Sequence, residues 1–202
     1  MKILRVETLI ACGTFSESSA WAQSRKALHL AIRRVVWPSG SDKFTIFPQS
    51  GKKRGEGNGV KPIKDGLMLQ LKDLGWRLEV PLEISSHKRP GNLDAVLDTF
   101  YGPVAVEWET GNVSSSHRAL NKMALGLLKG KLACGTLVVP SRKFYKFLTD
   151  RVGNMDELAP YLDLWRSIPC QEGVLEIVEV EHDAESLSVP RIPKGTDGRA
   201  LQ

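Results

Sequence analysis

The sequence predicts an α/β fold: a mixed central sheet flanked by helices on both faces. Two observations predict it. Apolar runs of strand length alternate with stretches of helical periodicity, and no internal repeat or low-complexity block interrupts them. The length, 202 residues, suits one compact domain with a sizeable core and is short for two. The whole chain, 1–202, is therefore expected to be a single domain, with an irregular C-terminal segment over 183–202 punctuated by proline and glycine.

The serine run at 16–19 caps a helix to about residue 36, with Trp21, Ala27, Leu28, Ala31, Ile32 and Val35 at helical spacing. Trp37-Pro38-Ser39-Gly40-Ser41-Asp42 breaks it, and 44–47 is a short extended stretch. GKKRGEGNGVK, 51–61, is a glycine-rich basic loop whose one apolar residue is Val60, so a solvated, mobile surface segment is expected. Pro62 suits the first turn of a helix that ends at Gly75, with Leu67, Met68 and Leu71 on its apolar side. Residues 76–84 read as extended. Strands over 93–98 and 104–108 join across Tyr101-Gly102-Pro103, a turn signal. Ser114 or Ser115 then caps a helix to about 129, closed by Gly130. The run 132–139 is apolar enough for a buried strand, and helices over 141–150 and 156–167 precede a strand over 174–180.

Composition narrows the function classes. Hydrophobic residues at 42% and charged residues at 25% are ordinary for a globular protein, and the net charge of +5 tilts toward a polyanionic partner. Cys12, Cys134 and Cys170 form no CxxC and no Cys/His cluster, which argues against a disulfide framework or a zinc site and for thiols in a reducing cytoplasm. Arg5 and Glu7 interrupt the apolar start MKILRVETLIACGTF, and no later run approaches a membrane span. A cytoplasmic protein with no membrane partner is expected.

The chemistry concentrates in AVEWETGNVSSSHRALNK, 105–122. Strand alternation sets Glu107 and Glu109 on one face, where they repel each other unless a cation sits beside them. A hard divalent ion answers that need with oxygen ligands. Asp94 stands one hairpin earlier, after Pro90-Gly91-Asn92, and a twisted hairpin would bring it beside Glu107 as a metal cradle for phosphodiester hydrolysis. An acidic pair at a strand end is also a common solvated surface, and Glu-x-Glu alone leaves both readings open. Beyond it, Asn112, Ser114, Arg118 and Lys122 line the start of a helix; Asn and Arg are side chains that read base edges, and a helix N-terminus suits phosphate. A capped surface helix is the plain alternative.

The motifs VEWETGN, SSSHRALNKMALGL, YKFLTDRVGNMDELAPY and VPRIPKGTDG, in this order, resemble the BamHI-type type II restriction endonucleases. FTI (44–46), NGVKPIK (58–64) and PGNLDAV (90–96) extend the likeness over about 37–198, while the first thirty-odd residues match weakly. The resemblance implies a PD-(D/E)xK restriction-endonuclease-like core acting as a two-fold symmetric homodimer on double-stranded DNA. It implies metal ligation by Glu79, Asp94, Glu107 and the Trp108 backbone carbonyl, with Glu109 as the general base where most of the superfamily has lysine. Glu83 competes with Glu79, and Asp98 with Asp94, on position alone. The resemblance further implies Mg²⁺, two ions per site, with Mn²⁺ as a substitute and Ca²⁺ supporting binding without cleavage. Base reading is carried onto Asn112, Ser114 and Arg118, onto Asp150 and Arg151, and onto the segment Gly195, Thr196 and Asp197; Lys61 is a candidate phosphate contact. His117 is read as a packing residue, and Met123, Leu127 and Leu128 as core or dimer interface.

Two departures stand out. The helix that follows the 195–197 segment in longer members is lacking, with Arg199 a candidate replacement, and the hairpin between Asp94 and Glu107 is shorter. Neither touches the base-reading set, so the implied target is GGATCC, cut after the first G to leave a 5′ GATC overhang, with a companion methyltransferase protecting host DNA. The rivals are a nuclease of the same superfamily with another specificity and a catalytically silent DNA-binding protein. The second gives no reason for converging carboxylates beside a polyanion, and an acid-rich regulatory module fails on net charge.

Overall fold

The computed structural model describes residues 1–53, 55–84, 91–149 and 152–194. A six-stranded mixed sheet carries the fold, in the order β1 (Lys2–Cys12), β7 (Gly173–Glu181), β6 (Cys134–Pro140), β5 (Gly102–Trp108), β4 (Asn92–Thr99), β3 (Arg77–Pro81). The β5–β6 and β6–β7 pairs are parallel, and the pairs at both edges are antiparallel. A small parallel pair, β2 (Thr45–Ile46) with β8 (Ala184–Glu185), lies apart from it.

Successive residues of the central strands point to opposite faces, and each face has its own helical cover. Val104, Val106, Val138 and Val178 pack with Leu28 and Ile32 of α1 (Ser19–Arg34) and with Ile63, Leu67 and Leu71 of α2 (Lys61–Asp73). Ala105, Leu137, Val139 and Ile177 pack with Leu120, Met123 and Leu127 of α3 (Val113–Leu128), and with Met155 of α5 (Met155–Leu158) and Trp165 of α6 (Leu162–Arg166). With both faces covered, β6 and β7 are buried at every position. β6 accordingly reads as a continuous apolar run, while the buried Glu176, Glu179 and Glu181 of β7 are partnered by Arg25, Arg5 and Ser141. No described helix is long and apolar enough to cross a membrane.

Three local expectations change. β1 has no counterpart in the sequence reading: it is an edge strand whose register shifts between Ile3 and Arg5 and again between Thr8 and Ile10. Each shift resets the two-residue alternation, and the charges that interrupt it face outward on the edge. The helix expected over 141–150 shrinks to α4 (Arg142–Tyr145) because the following carbonyls bond elsewhere: Lys146 O accepts the Gly51 N–H at 3.0 Å and Phe147 O that of Asn58 at 2.8 Å. The loop expected to be mobile is thereby bonded to the body of the protein. The helix expected over 156–167 divides into α5, a 3₁₀ turn Ala159–Tyr161 and α6, with Pro160 in the turn supplying no N–H to continue the ladder.

Candidate active site

The β4–β5 ladder runs from Thr99↔Gly102 to Ala95↔Val106 and then ends. In the position of the next rung stand Asp94 and Glu107. The Asp94 side chain serves as acceptor there, its Oδ2 taking the Trp108 N–H at 2.8 Å. On the other side of β4, the pairs Leu78↔Ala95 and Val80↔Leu93 put Glu79 in the rung facing Asp94. Glu79 has φ 51°, the only positive φ of a non-glycine residue among the described residues. Such a conformation costs roughly 1–2 kcal/mol, and the rungs on either side hold it in place. Three acidic residues therefore line up across three neighbouring strands.

Asp94 and Glu107 are only 6% and 7% exposed, so their charges are largely stripped of water. Burial first, and the Asp94 charge second, push the Glu107 carboxyl up to about 7, against the pull of Lys122 and Lys64. The two lysines come from opposite faces of the sheet. Lys64, on α2, donates to Asp94 Oδ1 at 2.5 Å. Lys122, on α3, pairs with Glu107 and donates to the Asn92 carbonyl at 2.7 Å. Even so, Glu107 Oε1 is buried without a well-directed hydrogen bond. Two buried carboxylates side by side are a donor set that fits a hard divalent cation. Among the described residues no three His, Cys, Asp or Glu side chains form a ready-made metal cluster. Glu79 is exposed, and its approach to the pair would complete the set.

Glu109 lies just beyond β5, with its Oε1 accepting the Gly111 N–H at 2.8 Å. Asn112, rather than Ser114 or Ser115, caps α3: its Oδ1 accepts the Ser114 N–H at 3.1 Å and the Ser115 N–H at 3.4 Å. Ser114, Arg118 and Lys122 recur every fourth residue and share a helix face. Ser114 and Arg118 are exposed on it, while Lys122 turns toward Glu107. Lys61 is paired with Asp65 at 2.7 Å on its own helix. The lysine of this helix that pairs with Asp94 is Lys64, which sequence reasoning passed over. Its signal was its place one helical turn after Lys61, beside the buried Ile63.

Asp98, the competitor of Asp94, is held on the surface by Arg77 at 2.8 Å, and Glu83 is exposed beyond β3. His117 packs edge-on against Tyr161 at 4.6 Å and near Trp165 at 5.2 Å, the packing role expected of it. Asp150, Arg151, Gly195, Thr196 and Asp197 lie outside the described residues. The chain on both sides of 150–151 is anchored: Thr149 N donates to Asn58 O at 2.9 Å, and Gly153 N to Gly111 O at 2.9 Å. A methyl group on Gly153 would collide with the Ser116 hydroxyl, so glycine lets this segment lie against the first turn of α3. All three cysteines are free, as expected.

Comparison with known proteins adds the family. The family described as "Restriction endonuclease BamHI" matches residues 1–199. The type II restriction enzyme OkrAI of Oceanobacter kriegii is 46% identical over 202 residues, covering 100% of both chains. The type II restriction enzyme BamHI of Bacillus amyloliquefaciens is 34% identical over 183 residues, 87% of this chain and 82% of that one. A DNA complex of the restriction endonuclease BglII overlays at 9% identity, covering 60% of this chain and 56% of that one, with a TM-score of 0.48. That overlay is too loose to bear on function. The match over nearly the whole chain does bear on it: the protein belongs to the BamHI family of type II restriction endonucleases, site-specific deoxyribonucleases.

Proposed function

We propose that this enzyme hydrolyses double-stranded DNA at the palindrome GGATCC, after the first G, leaving 5′ GATC overhangs. The observation that carries the reading is continuity. Glu107 is the last residue but one of β5, Glu109 follows the strand, and Asn112 caps the helix bearing Ser114 and Arg118. Glu107 and the exposed polar helix face are therefore one short piece of chain, with Asp94 on the neighbouring strand. Asp94, Glu107 and the Trp108 carbonyl, with Glu79, would hold Mg²⁺, two ions per site, with Mn²⁺ a substitute and Ca²⁺ supporting binding alone. A bound divalent ion supplies charge stabilisation for the phosphorane-like transition state and a more acidic water. Glu109, half-buried and already oriented by Gly111, is the group to accept the proton of the attacking water. Lys64 and Lys122 offset the charge of the acids until metal binds.

Asn112, Ser114, Arg118, Asp150 and Arg151 read base edges in this proposal, Arg toward guanine and Asp toward the cytosine amine. The segment Gly195–Asp197 adds a base contact. A palindrome requires two identical readers, hence a two-fold homodimer. The outer face of α3 supports this. Beyond Ser114 and Arg118 it turns apolar, with Leu125 38% and Leu128 48% exposed. The enzyme works in the cytoplasm, where a companion methyltransferase protects the same sequence in host DNA.

The test is cleavage with Mg²⁺ of matched plasmids that contain or lack one GGATCC, followed by sequencing of the ends. One cut, only in the first plasmid, with 5′ GATC overhangs is expected. Cutting at another sequence overturns the base-reading assignments, and binding without cutting overturns the catalytic ones. Glu107→Ala is expected to lose cleavage and keep sequence-specific binding.

A further inference from the structure

Outside the acid site, the strongest unexplained feature is a basic cleft of about 720 Å³ between the loop that follows β2 and α4. Its walls include Lys52, Arg142, Tyr145 and Lys146. The three cations are exposed, and no carboxylate among the described residues pairs with any of them. Arg142 lies over the Tyr145 ring at 4.8 Å, which fixes a guanidinium that would otherwise wander. By contrast, the neighbouring Lys143 is neutralised by Glu185 at 2.9 Å, so the open positive charge belongs to the cleft side alone.

A glycine-rich basic loop would ordinarily hold its charges loosely. This one is fastened. Besides the Gly51 and Asn58 bonds to the 146–147 carbonyls, the Asn58 amide donates to Phe47 O at 2.8 Å and Phe147 O at 3.0 Å. Arg191 donates to Gln49 Oε1 at 3.0 Å. A methyl group on Gly51 would run into the Leu148 carbonyl, and one on Gly57 would crowd Gly51, so both glycines permit contact between backbones. The segment gripped by the loop, 146–149, leads directly to the anchored Gly153 beside Gly111 and the first turn of α3. Hydrogen bonds therefore anchor the chain on either side of 150–151, to the loop at Asn58 and to Gly111 beside the candidate active site.

We propose that Lys52, Arg142 and Lys146 grip the DNA phosphate backbone. This grip rests on the proposed function in that double-stranded DNA is the ligand. Three cations carried on a bonded backbone and facing one cleft match the repeating charge of a nucleic-acid backbone. They carry no hydrogen-bond pattern that would distinguish one base pair from another, so their contribution is affinity and register rather than sequence.

The test measures binding of the full-length chain, in Ca²⁺, to a duplex centred on GGATCC over a series of salt concentrations. Wild type is compared with Lys52→Ala/Arg142→Ala/Lys146→Ala. Each lost phosphate contact lowers the slope of log Kobs against log salt by about 0.9. Three contacts on each protomer make six per bound dimer and about 5.4 in slope, so between 50 and 200 mM salt the wild type should lose about 1,800-fold more affinity than the variant. Single-turnover cleavage with DNA saturated by enzyme should stay within about twofold. An unchanged slope overturns the grip, as does loss of cleavage at saturation. Lys143→Ala, which removes a cation already neutralised, serves as the control and should leave the slope unchanged. Failure of the wild type to bind this duplex would instead overturn the target assignment on which the grip rests.

Discussion

Replacing Lys122 by methionine removes the charge that faces Glu107 while keeping most of the side-chain volume. Both members of this pair are nearly buried, with side chains 9% exposed. Stranding one member of a buried pair costs about 3–5 kcal/mol. The lost bond to the exposed Asn92 carbonyl adds about 0.5–1 kcal/mol. Burial and Asp94 already push Glu107 up to about 7, so protonation absorbs part of the stranded charge and the expected loss is about 3 kcal/mol. In metal-free urea titrations that is a midpoint lowered by about 1–2 M. Adding Glu107→Gln removes the stranded charge, so the double variant should recover to within about 1 kcal/mol of wild type. A loss below about 1 kcal/mol for Lys122→Met, or a double variant no more stable than the single one, refutes the view that Lys122 neutralises the acid site.

Further outcomes follow from the same geometry. Asn112→Ala should cost about 1 kcal/mol through loss of the α3 cap. Asn112→Ser keeps a capping oxygen and should melt near wild type, yet lose about 1–3 kcal/mol of discrimination at one base pair in competition binding. Gly51→Ala forces backbone against backbone at Leu148 and should destabilise by about 1–3 kcal/mol, with limited proteolysis reporting release of the 51–58 loop. His29 is lowered to about 4 by burial, then by Arg25 and Arg33. Between its ordinary 6.5 and about 4 the unfolded chain takes up a proton that the folded chain refuses, so stability falls as pH drops through that window. His29→Leu should flatten that part of the melting-temperature profile.

Sequence patterns made some parts of the molecule legible and left others hidden. The run 132–139 announced β6, because burial on both faces leaves an unmistakable apolar signature, and helical spacing marked Met123 and Leu127, which are buried, together with Leu128, which is exposed. β1 stayed hidden because two register shifts and its charged edge erase a two-residue period. Helix 141–150 was overestimated because its last carbonyls bond to residues 51 and 58, nearly a hundred positions away, and local propensity carries no trace of that competition.

The candidate site divides in the same way. Residue identity and order along the chain determined that Asp94, Glu107, Glu109 and Asn112 belong together, since one hairpin and one helix start contain them all. Only the tertiary structure decided which cations face the acids. Lys64 and Lys122 stand on helices covering opposite faces of the sheet, and their convergence depends on how α2 and α3 pack. It also decided that Glu79 lies opposite Asp94, a matter of strand register, and that a glycine-rich loop becomes a fixed basic wall. Spacing along a chain governs contacts within a hairpin or a helical turn. Contacts between layers are set by packing, which the linear pattern does not encode.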